Sequence, residues 1–159
     1  MKMKKIIGIL LLGFMAVILV ACGQKSAEEM IKTELKDSYT GYSKNPGYEN
    51  PFNEGDDTLK FNKEERSITN SQGKKKYFAV LSEKDVPSDT KRVLKELEGD
   101  LKGTDNFTII ISREKNPTKK QSEATYQIAL SDGGKTIRIF ELRRNERDYG
   151  YYDFTGQAD

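Results

Sequence analysis

Hydrophobic and polar residues alternate in several short stretches after residue 58, and this pattern predicts a body rich in β-strands. Leu59 and Phe61 flank a lysine, and residues 126–130 and 137–142 place apolar residues at alternate positions over much of their length. A period of two puts the apolar side chains on one face of a strand. The segment Ser131-Asp132-Gly133-Gly134 joins the last two stretches, and its Asp-Gly and Gly-Gly pairs are typical of a tight hairpin turn.

Two apolar segments lie between these stretches. Residues 77–81 predict a strand, and residues 107–111 are the most strongly apolar part of the chain after residue 21. Three consecutive isoleucines in the second segment indicate a central strand that is covered on both faces.

A helix is predicted between these two strands. Pro87 and Ser88 open it, with Ser88 as the cap, and Gly103 ends it. Its apolar residues recur at helical spacing and share one face. They are Val93, Leu94, Leu97 and Leu101. We therefore expect this face, with Leu97 at its centre, to pack into the core.

A second helix is predicted over residues 27–38. Ser26 and Glu29 have the spacing of a capping box, in which each satisfies a backbone amide of the first turn. The helix is expected to pack on its own domain, with a membrane-surface or partner helix as the alternative. Residues 39–57 are rich in turn formers, so we expect a long loop that its aromatic residues, within 39–52, partly pin to the domain.

The fold predicted from these elements is α+β, with a single antiparallel sheet of five to seven strands, an N-terminal helix and one packed helix. The alternative is a small lipocalin-like β-barrel. We expect three parts: a signal peptide at residues 1–21, an N-terminal helix and loop at 22–57, and a globular domain at 58–159. The aromatic tail, residues 149–154, is expected to form an edge strand or an aromatic rim.

The first 22 residues carry the only specific motif. A basic start precedes the apolar run from Ile6 to Ala21, as in a secretory signal. The tetrapeptide Leu19-Val20-Ala21-Cys22 resembles the lipobox of bacterial lipoproteins. That resemblance implies cleavage between Ala21 and Cys22 and a diacylglyceryl thioether on the Cys22 thiol. As a membrane span the run is too short, since 16 residues extend about 24 Å and the hydrocarbon core is about 30 Å thick.

Composition narrows the chemistry that the body can perform. The chain has no histidine, and Cys22 is its only cysteine, which excludes histidine-based acid–base catalysis, cysteine nucleophiles and the usual zinc sites. We therefore expect no catalytic residues, no cofactor and no metal. The acidic cluster of Glu54, Asp56 and Asp57 is interpreted as a solvated turn, and the run Lys74–Lys76 as a solvated start of a strand.

Charge and location then limit the partners. Without residues 1–21 the chain has 24 basic and 25 acidic residues, so it shows no bias toward nucleic acid. The lipobox implies attachment to the cell membrane through lipid on Cys22, on the extracytoplasmic face, and the body resembles small lipocalin-like or cystatin-like lipoproteins of Gram-positive bacteria in composition.

The favoured hypothesis is a non-catalytic binding or interaction module for a peptide or an envelope component. One alternative is a lipocalin-like carrier of a small apolar ligand. The other is a peptide pheromone released from the signal peptide, within residues 14–21.

Overall fold

A computed structural model describes residues 25–142 and 150–159, which form three helices, eight strands and two short 3-10 turns. The helices are α1 (Ala27–Thr33), α2 (Ser88–Glu96) and α3 (Glu98–Leu101). The strands are β1 (Ser38–Ser43), β2 (Gly55–Asn62), β3 (Ser67–Thr69), β4 (Lys75–Leu81), β5 (Asp105–Ser112), β6 (Ala124–Ser131), β7 (Thr136–Glu141) and β8 (Asp153–Ala158). The 3-10 turns are Glu83–Asp85 and Lys119–Gln121.

The strands form a closed antiparallel barrel. Each strand pairs with the next along the chain, and β8 returns to pair with β1, for example Tyr39 with Ala158. The predicted open sheet of five to seven strands is therefore wrong, and the alternative, a small lipocalin-like barrel, is confirmed. Closure leaves no unpaired strand edge in this sheet.

The two strands that close the barrel are those that the hydrophobic pattern missed. Gly41 in β1 and Gly156 in β8 oppose each other, and Ser43 opposes Phe154. Small and polar residues at these buried positions hide the alternation on which the prediction depended. Gly41 is required here, because a Cβ at this position would lie 2.0 Å from the carbonyl oxygen of Thr155. Glycine at a tight bend of a barrel wall permits this close approach of two backbones.

The described residues of the segment 22–57, which we predicted as a helix and a loop packed on a domain at 58–159, are part of the barrel itself. They supply α1, β1 and the first residues of β2. The region that we predicted as a loop is therefore shorter, because β1 and β2 leave only residues 44–54 between them. The predicted aromatic tail likewise differs, since residues 153–158 form a strand that is paired on both sides rather than an edge strand.

Each end of the barrel is covered by a different segment. Helix α1 and the residues directly after it close one end with Met30, Ile31 and Leu35, which belong to the hydrophobic core. The helix begins at the predicted cap, since the Glu29 amide donates to the Ser26 hydroxyl oxygen at 3.1 Å, but it ends at Thr33 rather than residue 38. The loop at 44–54 covers the other end.

The interior of the barrel is filled by side chains. Alternating residues of all eight strands point inward, and aromatic rings occupy the end below loop 44–54. Phe52 reaches in from this loop, and its ring centroid lies 4.3 Å from that of Tyr126 and 5.0 Å from that of Tyr152. All three rings are almost completely buried. Removal of this apolar surface from water is the main term that stabilises the barrel.

Candidate ligand-binding groove

A cavity of about 860 Å³ lies outside the barrel, between the helices and the outer face of β4, β5 and β6. We call it the outer groove. Helices α2 and α3 form one side of the groove, and the barrel wall forms its floor. One end reaches the rim of the barrel beside Ala27 and Met30 of α1. A volume of this size is in the range of ligand-binding clefts, about 300–1,000 Å³.

The groove exists because α2 stands away from the wall that it covers. The apolar residues of its predicted inner face are only half-buried, and the one buried residue of α2 is Thr90. The prediction that Leu97 lies in the core is wrong, since Leu97 is half-buried and ends α2. Leu94 and Leu101 are half-buried as well and line the groove, so part of the apolar surface of the helical segment faces it.

The helical segment differs from the prediction in its ends as well. Ser88 is the first residue of α2 and makes no capping hydrogen bond, and Pro87 occupies the cap position. The chain leaves the helical conformation at Leu97 and resumes it as α3. Gly103, with φ of +77°, follows α3 as predicted, so the segment begins at a proline and ends at a glycine.

Two contacts hold this segment against the barrel. Leu81, Val86 and Ile110 form a small apolar cluster, and Leu94 of α2 packs against it. At the other end, the Arg138 guanidinium on β7 bonds Asp100 of α3 at 3.0 Å.

The floor of the groove is a chain of hydrogen-bonded polar side chains on neighbouring strands. The Thr108 hydroxyl donates to Oε1 of Gln127 at 2.6 Å, and Nε2 of Gln127 donates to Oδ1 of Asn106 at 2.8 Å. Asn106 in turn donates to the Thr104 carbonyl oxygen at 3.3 Å. Thr108 is 6% exposed and Gln127 is 4% exposed. Such mutual hydrogen bonds lower the free-energy cost of burying amide groups on the outer wall of the barrel.

Charged residues stand around the groove. Lys25 bonds Glu34 and lies 3.9 Å from Asp105. The bond from Lys25 lowers the pKa of Glu34, whereas the adjacent Glu34 carboxyl raises the pKa of Asp105. Glu83, Lys84 and Lys91 line the groove as well.

Buried polar groups also occur inside the barrel, at the end below loop 44–54. Asp57 is 5% exposed and lies in β2, so its predicted place in a solvated acidic turn is wrong. Its Oδ1 accepts from the amides of Thr58 and Ser71 at 2.8 and 3.0 Å. Among the described residues, neither Oδ2 of Asp57 nor the Tyr152 hydroxyl has a hydrogen-bond partner. Burial raises the pKa of Tyr152 well above its ordinary value.

The carboxylate of Glu141 ties the covering segments to this end. It accepts from the Tyr48 amide of the loop at 3.0 Å and from the Tyr152 amide at 3.3 Å. Glu141 is buried at the end of β7. Both of these bonds join backbone amides of the segments that cover the barrel, so they help to hold those segments in place.

The predicted solvated run of lysines is also only partly exposed. The Lys76 side chain is 12% exposed and bonds Glu123 at 2.8 Å. Burial alone would raise the pKa of Glu123, but the bonds from Lys76 and Arg113 outweigh burial and lower it. Lys74 and Lys75 remain exposed as predicted.

The predicted lipid-attachment and cleavage residues, Leu19, Val20, Ala21 and Cys22, lie outside the described residues, as does the signal peptide at 1–21. In the described part of the chain, no cluster of three or more acidic or cysteine side chains could hold a metal ion. No helix within residues 25–142 and 150–159 is long and apolar enough to cross a membrane.

The sequence did not predict the groove floor. Thr108 interrupts the apolar run of β5, and Gln127 lies between two inward-facing residues of β6, so each was assigned to a strand face without a function. Their adjacency depends on the pairing of Thr108 with Gln127 across β5 and β6, which the chain order alone does not specify.

The class of protein is therefore an eight-stranded antiparallel barrel with a filled interior and an external groove, a fold compatible with a binding module of the lipocalin kind. Comparisons with protein families, curated proteins and solved structures find no match to this chain.

Proposed function

We propose that this chain is a lipid-anchored, extracytoplasmic binding protein without catalytic activity, and that its ligand lies in the outer groove. The observation that carries the proposal is the groove itself, where a half-buried helix stands above a wall of hydrogen-bonded side chains. A rigid barrel on one side and a less deeply packed helix on the other are suited to admitting a ligand without disturbing the core.

The filled interior favours the outer groove over the interior as the place of binding. A carrier of the lipocalin kind holds its ligand between inward-facing side chains. Here Phe52, Tyr126 and Tyr152 occupy that space in mutual contact. A ligand inside the barrel would have to displace these rings.

The proposed anchor on Cys22 lies close to the outer groove in sequence. Lys25 lines the groove and is three residues beyond Cys22. Three residues span at most about 10 Å, so lipid on Cys22 would hold the groove close to the membrane surface. Mass spectrometry of the N-terminal peptide should show the diacylglyceryl thioether, and Cys22→Ser should leave an unprocessed precursor. An unmodified thiol in protein from the membrane fraction would contradict the anchor.

The groove can be tested by filling it. Leu94→Trp places a larger side chain where Leu94 borders the groove, whereas Lys95→Trp places the same ring on the exposed side of α2. We expect native mass spectrometry of protein isolated from its own cells to show a small ligand on the wild type and on Lys95→Trp, but not on Leu94→Trp. A ligand retained by Leu94→Trp would show that binding occurs elsewhere.

A further inference from the structure

We propose that the ligand of the outer groove is a short peptide of mainly apolar residues with a free carboxylate at one end. This inference rests on the proposed function, because it names the class of ligand for the same groove. It follows from the chemistry of the floor, the spacing of its polar groups and the charges at one end.

The floor favours a ligand with amide groups over a hydrocarbon chain. Asn106, Thr108 and Gln127 provide donors and acceptors on one surface. The Gln127 amide has two N–H donors, of which the bond to Asn106 uses one. Asn106 is the partly exposed residue of the three, and covering its amide with hydrocarbon would cost free energy because the amide would lose its contact with water. Peptide groups carry both a hydrogen-bond donor and an acceptor, so they can bond to this amide.

The spacing of the floor also suits an extended peptide. Asn106 and Thr108 are two residues apart on β5, and side chains on one face of a strand repeat about every 6.6–6.8 Å. An extended peptide has the same repeat, so its groups can follow the strand in register. Addition of the peptide as a further strand is excluded at this sheet, because β4, β5 and β6 are paired on both sides.

The sides of the groove provide an apolar environment for the peptide's side chains. Val86, Leu94 and Leu101 line it from the helical segment, and Leu81 lines it from the barrel. Leu94 and Leu101 are only partly buried, so a bound ligand would remove further apolar surface from water.

The charges indicate an anionic end. Lys84 and Lys91 are exposed at the groove and form no ion pair with the described residues, while Glu83 is the only carboxylate among the described lining residues. Lys25 is the third lysine that lines the groove, and its charge is already neutralised by Glu34 and Asp105. With Lys25 matched, Lys84 and Lys91 against Glu83 leave an excess of one positive charge at the groove, and a peptide carboxylate would complement it.

The test compares two pools of pentapeptides built from alanine, valine, leucine and phenylalanine. One pool has free C-terminal carboxylates and the other has C-terminal amides. The protein as isolated, in phospholipid nanodiscs, is incubated with each pool, and retained peptides are measured by mass spectrometry against empty nanodiscs. We expect the carboxylate pool to be retained at least about fivefold better than the amide pool, as two partly exposed ion pairs would give.

Three variants sharpen the result. Lys84→Met with Lys91→Met should abolish the difference between the pools, and Lys95→Met, which removes a lysine of α2 outside the groove, should preserve it. Leu94→Trp should abolish retention of both pools. These are changes at exposed or half-exposed positions, and thermal melts of each variant show that the barrel remains folded.

Lauric acid distinguishes a peptide from a lipid, because it has the carboxylate and apolar body without amides. Retention of lauric acid in place of the peptides would overturn the inference, and so would equal retention of both pools by the wild type. If neither pool binds but a cellular ligand is lost in Leu94→Trp, the peptide inference fails and the proposed function stands. If the cellular ligand survives Leu94→Trp, the proposed function fails as well.

Discussion

The barrel interior and the helical segment on its outer wall bury similar residues to different depths. Leu59 in β2 is 0% exposed and lies in the core, whereas Leu97 at the end of α2 is half-buried beside Phe140 and Tyr151. Both positions belong to clear apolar patterns in the sequence. The difference shows that an apolar stripe predicts which face of an element is turned inward, but not how closely the element approaches its neighbour.

This contrast assigns separate tasks to the two regions. The interior provides stability, because its side chains have left water almost completely. The outer segment retains apolar surface that a ligand can still cover, at the cost of a weaker contribution to folding. Matched substitutions in the two regions test this division.

The largest effect is expected from Leu59→Ala. It deletes a leucine side chain from a packed interior that has little room to collapse, so the free energy of unfolding should fall by about 2–5 kcal/mol. Urea melts of residues 23–159, followed by circular dichroism, measure the loss. A loss below that of Leu97→Ala would contradict the assignment of the core to the barrel interior.

A smaller loss of stability is expected from breaking the partly buried ion pair between Lys76 and Glu123. Glu123→Gln removes the carboxylate that bonds Lys76, which should cost about 1.5–3 kcal/mol near neutral pH. Because the pKa of Glu123 is lower in the folded state than its ordinary value of 4.5, its stabilising contribution is full above that value and is lost as pH falls through the folded pKa. Urea melts from pH 7 to pH 3 should therefore show a shallower acid-side decline in Glu123→Gln than in the wild type. Parallel declines would show that the pair is not linked to stability.

Leu97→Ala is the matched partner of Leu59→Ala. A fully buried leucine is worth about 1.5–3 kcal/mol, so truncation of a half-buried one should cost about 1 kcal/mol. The same urea melts give the value. A loss of 2 kcal/mol or more would mean that α2 packs on the barrel as tightly as the pattern of leucines first predicted.

The smallest global effect is expected from Asp100→Asn, which removes the bond between α3 and Arg138. Exposed ion pairs contribute about 0.2–1 kcal/mol. Hydrogen exchange should nevertheless accelerate in residues 88–101 and remain unchanged in the barrel strands. Asp153→Asn is the control, because it removes the other partner of Arg138, at 3.0 Å, without touching the helical segment. Equal acceleration in both variants would show that Arg138 does not specifically hold α3.

The sequence predicted the parts of the fold that local chemistry determines. The hairpin turn is confirmed, since Asp132, Gly133 and Gly134 all have positive φ between β6 and β7. The apolar run at 107–111 is confirmed as most of β5, and the cap at Ser26 is confirmed as well. In each case neighbouring residues alone provide the signal.

The remaining features depend on contacts between distant residues. Barrel closure uses Gly41 and Gly156, which a hydrophobic pattern does not reveal because neither has a side chain. Asp57 appeared to belong to a solvated turn because its partner amide, that of Ser71, lies 14 residues further along the chain. The groove floor was missed for the same reason, since Thr108 and Gln127 meet only through strand pairing.

The pairing of β1 with β8 has a consequence for how the chain reaches its native state. The Thr40 hydroxyl donates to Asp159, which is 119 residues away in sequence, and a whole ladder of backbone bonds connects strands of similar separation. Each hairpin can form early, but this final seam must wait until two remote segments meet, and such non-local pairing slows folding to the millisecond-to-second range. Until then β1 and β8 each present an unpaired edge that can join another chain. The interval before the seam closes is therefore when this protein is most exposed to aggregation and proteolysis.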